Sequence, residues 1–343
     1  MTASAEPTPT TARRWSVLDV LRGLLLLVVL AAVGWALWRN WGEVSAELAK
    51  VPLSALVWAL VATLVAPVFT LFGWRRLLAD LGTSLHMAPA ASLFFVGQLG
   101  KYVPGSVWTI VAQAEMGARL HIPRRRTSIV GLLSIGLGIL AGGVIGLPAL
   151  SPLLFRDGGG FRWWVLALVL PALVLLWPRL LDAVVTRLLR TLRRDPLEHP
   201  LSLAGVLGAT AWMLLAWVGA GSAVLILVRA IDPSALGHSA AQGMPVWLLA
   251  VSGTALASVL GMVSFLVPAG VGVRDGLLGL LLAPVLGVAG AAAVVVLARF
   301  LTLLADVLCA GFGWLWGRTH HLLGSQDPAD PATPADPATD LGS

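Results

Sequence analysis

Charged residues are scarce in this chain. Asp, Glu, Lys and Arg make up 12 % of 343 residues, about half the share that covers the surface of a soluble domain. Cysteine occurs once, as Cys309, which excludes an internal disulfide and a cysteine-ligated metal centre. Tyrosine occurs once, as Tyr102, and lysine only as Lys50 and Lys101. No His-Glu-x-x-His, Gly-x-Ser-x-Gly or nucleotide-binding Gly-rich loop is present, so the common hydrolase, metalloprotease and nucleotide signatures are missing. These shortages exclude a soluble enzyme, a nucleic-acid binder and a disordered protein.

What fills the chain is apolar. Hydrophobic residues reach 58 % and the mean hydropathy is +0.88. The apolar residues fall in runs long enough for helices across a bilayer core of about 30 Å. The runs are about 20–38, 53–73, 127–150, 161–177, 204–228, 246–267 and 288–316. They predict an all-α polytopic membrane protein with about seven spanning helices. Trp35, Trp38 and Trp41 end the first run, and Trp163, Trp164 and Trp177 bracket the fourth, as residues of the interfacial belt do. The expected organisation is a disordered tail over 1–14, a transmembrane domain over 15–318, and a disordered acidic Asp-Pro-Ala tail over 325–343.

Two further apolar stretches are interrupted. Residues 88–118 are broken at Lys101-Tyr102-Val103-Pro104-Gly105-Ser106, and residues 264–286 at Pro268-Ala269-Gly270-Val271-Gly272-Val273-Arg274-Asp275-Gly276. Proline removes a helix donor and glycine permits sharp turns. Each stretch is predicted to be a broken or re-entrant pair of half-helices, which lipid tolerates only where protein or water satisfies the backbone. Paired interrupted segments in the two halves of a chain point to inverted-repeat transporters, and these two mirror each other loosely.

Cations set the orientation. With the N-terminus inside and residues 88–118 returning to their own side, thirteen Lys and Arg face the cytoplasm: Arg13, Arg14, Arg75, Arg76, Arg119, Arg124, Arg125, Arg126, Arg179, Arg187, Arg190, Arg193 and Arg194. Arg39, Lys50, Arg156, Arg162 and Arg229 face outward. That bias is the positive-inside pattern. Abundant Ala, Gly, Pro, Val and Arg suit a GC-rich bacterial genome, so a bacterial plasma membrane is expected.

The candidate site lies at the two breaks. A charge at the bilayer centre costs about 2.5–3.5 kcal/mol on the insertion scale, yet Lys101, Glu115, Arg274, Asp275, Arg299 and Asp306 all fall at or near membrane depth. Arg22, near a helix start, is expected to snorkel to the headgroups. Ser106 is placed to cap the half-helix after Gly105, so that its first N–H groups and Lys101 form an anion site. Gly270 and Gly272 bare the backbone, and Arg274 offers a bidentate fork suited to phosphate. Gln98 and Tyr102 add polar groups. Glu115, Asp275, Arg299 and Asp306 form a polar relay or ion pairs. The bland alternative pairs Arg274 with Asp275 or Glu115, and Lys101 with Glu115, purely to hold helices together. No catalytic residue, metal site or cofactor is expected.

The motif Gly97-Gln98-Leu99-Gly100-Lys101-Tyr102-Val103-Pro104-Gly105-Ser106-Val107-Trp108 resembles a signature of the lysylphosphatidylglycerol synthase transmembrane-region family. Residues 268–276 resemble its second signature, with Ala269 in place of the first glycine and Asp275 in place of a glutamate. The resemblance covers about residues 15–318. It implies a flippase-like membrane domain handling an anionic phospholipid or lipid-linked sugar. The cytosolic synthase domain is expected to be absent and to be supplied, where needed, by a separate partner. An intramembrane enzyme acting on a lipid or polyprenyl phosphate, and a membrane scaffold or partner subunit without transport activity, are the alternatives. Nucleic acid is not expected as a partner, and the sequence does not set the oligomeric state.

Overall fold

The structure is a computed structural model that describes residues 38–39, 41–102, 107–150, 169, 171, 174–191, 200–237, 239–240, 244–263 and 272–319. The first expected span, most of the fourth, both tails, and Gly105, Ser106 and Gly270 lie outside the described residues. Among the described residues the chain is almost wholly helical. The helices are α1 (Trp41–Ala49), α2 (Leu53–Asp80), α3 (Met87–Gln98), α4 (Trp108–Arg119), α5 (Arg124–Gly146), α6 (Pro178–Thr191), α7 (Leu203–Ile231), α8 (Val246–Val263) and α9 (Val273–Thr319). A two-residue antiparallel ladder, Ser239–Ala240 with Met244–Pro245, precedes α8.

Five of these, α2, α5 with its short 3-10 extension to Leu150, α7, α8 and α9, are long and apolar enough to cross a membrane. Their outward faces are built for lipid. Trp58 is 65 % exposed, Phe300 61 % and Val307 63 %, and an aqueous surface rarely carries so continuous an apolar skin. The fold is all-α and polytopic, as the sequence predicts.

The first interrupted stretch forms two half-helices. α3 ends at Gln98, a 3-10 turn covers Leu99–Tyr102, and α4 begins at Trp108. The two pack closely: a β-carbon on Gly100 would sit 2.6 Å from the Thr109 backbone nitrogen. α3 also lies tightly on the far end of α9, where a β-carbon on Gly313 would come 2.9 Å from the Ala91 carbonyl oxygen. Small residues permit such approach where lipid supplies no hydrophobic drive between helices.

α9 is not one rod. Gly287 has φ +70° and ψ 172°, a conformation that L side chains avoid. In a straight helix Gly279 and Val295 would be about 24 Å apart along the axis, yet a β-carbon on Gly279 would lie 3.8 Å from Val295 Cγ2. The chain therefore reverses at Gly287, and the limb 273–286 folds back on the limb 288–319. The short limb is only ~21 Å long. The reversal brings Arg274, at the start of the short limb, towards Arg299 and Asp306 on the long one.

The cation-rich turns meet at one end of the bundle. Ser202 caps α7 by accepting from the Gly205 N–H at 2.9 Å, and Asp80 at the end of α2 accepts from the Ser202 N–H at 2.8 Å. Arg126 at the start of α5 donates to Thr83 Oγ1 at 2.6 Å. Asp182 on α6 accepts from the Leu201 N–H at 3.1 Å. The turns holding Arg75 and Arg76, Arg119–Arg126, and α6 with Arg179 and Arg187 thus share one side, as the charge count requires.

Two apolar clusters fill the interior. One gathers the C-terminal half of α7, α8 and the facing limbs of α9 up to Leu301. The other gathers the end of α2, α3, α5 and the start of α7, and takes in Cys309. Asp306 lies on the long limb between Leu301 and Cys309, where one cluster gives way to the other.

Candidate functional site

The 3-10 turn after α3 presents Lys101 and Tyr102 to the long limb of α9. Lys101 Nζ lies 2.7 Å from Asp306 Oδ2, and the Tyr102 hydroxyl donates to the same oxygen. The ammonium also sits 5.4 Å from the centre of the Tyr102 ring, within reach of a cation–π attraction. The Asp306 side chain is 9 % exposed and that of Lys101 36 %. A buried carboxylate needs both a counter-charge and hydrogen bonds, and Asp306 receives both from one four-residue turn. Cys309, one turn further along the same limb, lies within electrostatic reach of Asp306 and Lys101.

The second half of the site is the start of the short limb. Gly272 has φ +87° and opens the helix that begins at Val273. Its N–H donates to Asp275 Oδ2 at 3.4 Å, the reciprocal arm of a capping box, and its carbonyl accepts from the Gly276 N–H at 2.7 Å. Asp275 is therefore engaged with the helix N-terminus, where a negative charge also suits the dipole. Arg274, between these two residues, is partly buried. It lies within electrostatic reach of Asp275, Arg299, Asp306 and Tyr102, and it makes no ion pair with any described carboxylate.

The two breaks thus converge. Lys101, Tyr102, Arg274, Asp275, Arg299 and Asp306 come from distant parts of the sequence to one place. Among the described residues, three cations and two carboxylates gather there. Gln98 is half-buried in the last turn of α3, one residue before the 3-10 turn. Gly272 belongs to the site through its backbone.

Glu115 does not join this group as a partner of Lys101. Arg124 grips both of its oxygens at 2.9 Å, on an exposed surface at the α4–α5 turn. The hydrogen bonds from Arg124 hold the Glu115 carboxyl below its ordinary range. The carboxylate that answers Lys101 is Asp306, which no local spacing could reveal. The sequence divides the apolar stretches 264–286 and 288–316 at Gly287, where the structure has its reversal, but it does not show that the two limbs fold back on each other.

No model of a known protein family matches the chain, and no curated protein is significantly similar to it.

Proposed function

We propose that this protein is a flippase-like component of a bacterial plasma membrane, with its N-terminus and arginine-rich end in the cytoplasm. In this reading it binds, and moves between leaflets, an anionic phospholipid or lipid-linked substrate. The headgroup phosphate is held where the two broken segments converge, while the acyl chains stay in the bilayer. The observation that carries this reading is Arg274, a partly buried guanidinium with no described carboxylate paired to it, beside a helix N-terminus. A planar fork of donors in that setting suits a phosphate oxygen pair, and the N-terminal amides add to the same field. The resemblance of residues 97–108 and 268–276 to the lysylphosphatidylglycerol synthase transmembrane-region signatures supports the same direction. Activity is assigned to binding and transport rather than to catalysis.

A second reading draws on a different observation. Lys101 is already answered by Asp306 at 2.7 Å, which is what a scaffold whose charges only tie helices together would show. Arg274→Lys separates the two readings. Lysine keeps the charge and loses the fork, so a phosphate site weakens while a structural charge survives. Leaflet-resolved lipid analysis of membranes with and without the protein tests transport itself: the distribution of an anionic lipid between the two leaflets should change when the protein is missing. Unchanged leaflet composition would count against transport.

A further inference from the structure

We infer that α6 lies in the interface of the bilayer that holds the protein, with an apolar stripe at the acyl boundary and its arginines drawing an anionic headgroup layer. This is an interaction surface apart from the convergence of the two breaks, and it stands whether or not a lipid binds there.

The basis is that α6 presents three faces where a helix at the edge of a water-soluble domain needs two. Successive residues turn by about 100° around a helix. Leu181, Val185 and Leu189 share one face and pack on the apolar cluster at the end of α2. Asp182, at the edge of that face, accepts from the Leu201 N–H, which fixes the rotation of α6 against the start of α7. About a third of the circumference further round lie Arg179, Arg187 and Arg190, all exposed. None of them is ion-paired to a described carboxylate. The remaining third is apolar again. Trp177 belongs to it, because its carbonyl accepts from the Leu180 and Leu181 N–H groups and so continues the first turn. Leu180 and Val184 follow at helical spacing. Trp177 and Val184 are exposed and Leu180 is half-buried.

Charge and depth say what covers this second apolar face. The 14 residues of α6 hold three arginines against one acid, and that acid is engaged with Leu201. A cationic arc beside a Trp-bearing apolar stripe is the pattern of helices that lie in the headgroup layer of anionic membranes. Trp177 suits that layer, and arginine stems cover apolar surface while their heads reach the phosphates. The depth agrees. Asp80, at the end of spanning helix α2, bonds to Ser202 at the start of spanning helix α7, and Asp182 holds the adjoining Leu201. α6 is thus tied to the level at which two spanning helices end.

The experiment uses the full chain in vesicles of phosphatidylcholine, alone or mixed with phosphatidylglycerol. Cys309, which is buried, is replaced by alanine. A single thiol is then introduced by Val184→Cys or by Ala183→Cys, adjacent exposed positions on the apolar and cationic sides of α6. Should Cys309→Ala not fold, the native cysteine is kept and the signal of the chain without a new thiol is subtracted. A spin label on each thiol reports lipid through collisions with oxygen and water through collisions with an uncharged nickel chelate. The label at position 184 should favour oxygen and the label at position 183 the chelate. Phosphatidylglycerol should raise the oxygen-to-chelate ratio at position 184, and high salt should remove the rise. Arg179→Gln, Arg187→Gln and Arg190→Gln combined change only exposed side chains, so the melting temperature should hold while the response to phosphatidylglycerol is lost. Chelate-favouring collisions at both positions in both kinds of vesicle would place α6 in water, leave its open face to a soluble partner, and overturn the inference. A native helix that does not respond to phosphatidylglycerol, or a response that persists in the triple variant, would overturn it as well. Neither label touches Arg274, so these outcomes are distinguishable from a failure of the transport reading.

Discussion

Lys101 and Asp306 come from opposite halves of the chain and meet at 2.7 Å. Their ion pair joins the 3-10 turn of the first broken segment to the long limb of α9, with Tyr102 bonded to the same carboxylate oxygen. The pair is both a mechanical tie and part of the charge balance of the candidate site.

The tie has a measurable cost when cut. Asp306→Ala leaves Lys101 and Tyr102 without their acceptor. A fully buried pair loses about 3–5 kcal/mol when one partner is removed. Because Lys101 is about a third exposed, solvent screens part of this, and about 2–3 kcal/mol is expected. Lys101→Met with Asp306→Asn should cost less than Asp306→Ala alone. Chemical denaturation in detergent measures both, and equal losses would show that the two residues are not coupled.

Arg274 should behave oppositely. It forms no ion pair with a described carboxylate, so Arg274→Ala should leave the ligand-free melting temperature unchanged or raise it, because a poorly answered cation is removed from low dielectric. The same variant should lose the stabilisation that anionic lipid gives the native protein. A lower melting temperature without lipid, with lipid stabilisation retained, would identify Arg274 as a structural tie.

Gly287 carries the reversal of α9 at φ +70°. A β-carbon there would meet nothing within 4 Å, so the cost of Gly287→Ala is conformational alone, about 1–3 kcal/mol for a backbone region that is essentially confined to glycine. Thermal unfolding checks it. A neutral substitution would mean that the limbs do not reverse at this residue.

Glu115 and Arg124 form a surface pair remote from the proposed chemistry. Glu115→Gln should leave lipid-dependent stabilisation untouched. The carboxyl is held below its ordinary value of 4.5 by Arg124, so its contribution is complete above that value and is lost as the pH falls through the lowered one. An acid-unfolding profile shifted by Glu115→Gln only below that value would agree. A shift near neutrality would not.

Much of this was legible in the sequence. Uninterrupted runs without charge gave α5, α7 and α8 to within about a turn of their ends and the start of α2, which runs on through Arg75 and Arg76 to Asp80, because a bilayer imposes a length on any apolar helix. The run from Lys101 to Ser106, with its Pro104-Gly105 pair, marked the division between α3 and α4, since proline and glycine act on the backbone within a residue or two. Lys101, Arg274 and Asp306 stood out because charge at membrane depth is costly. Their pairing was not legible. Glu115 was the nearer acid in sequence, but α4 carries it to the turn where Arg124 waits, and the long limb of α9 brings Asp306 to Lys101. Contacts between segments so far apart depend on how whole helices pack, and periodicity holds no trace of that.

The account turns on whether this protein moves an anionic lipid through a site that needs Arg274. The direct measurement reconstitutes the full chain in vesicles carrying fluorescent phosphatidylglycerol in both leaflets, and follows the fraction accessible to a membrane-impermeant quencher. The native protein should make inner-leaflet lipid accessible faster than protein-free vesicles do, and Arg274→Ala should abolish the gain, with Arg274→Lys recovering little of it. Lipid movement by Arg274→Ala at the native rate, from correctly folded protein at equal density, would contradict the account.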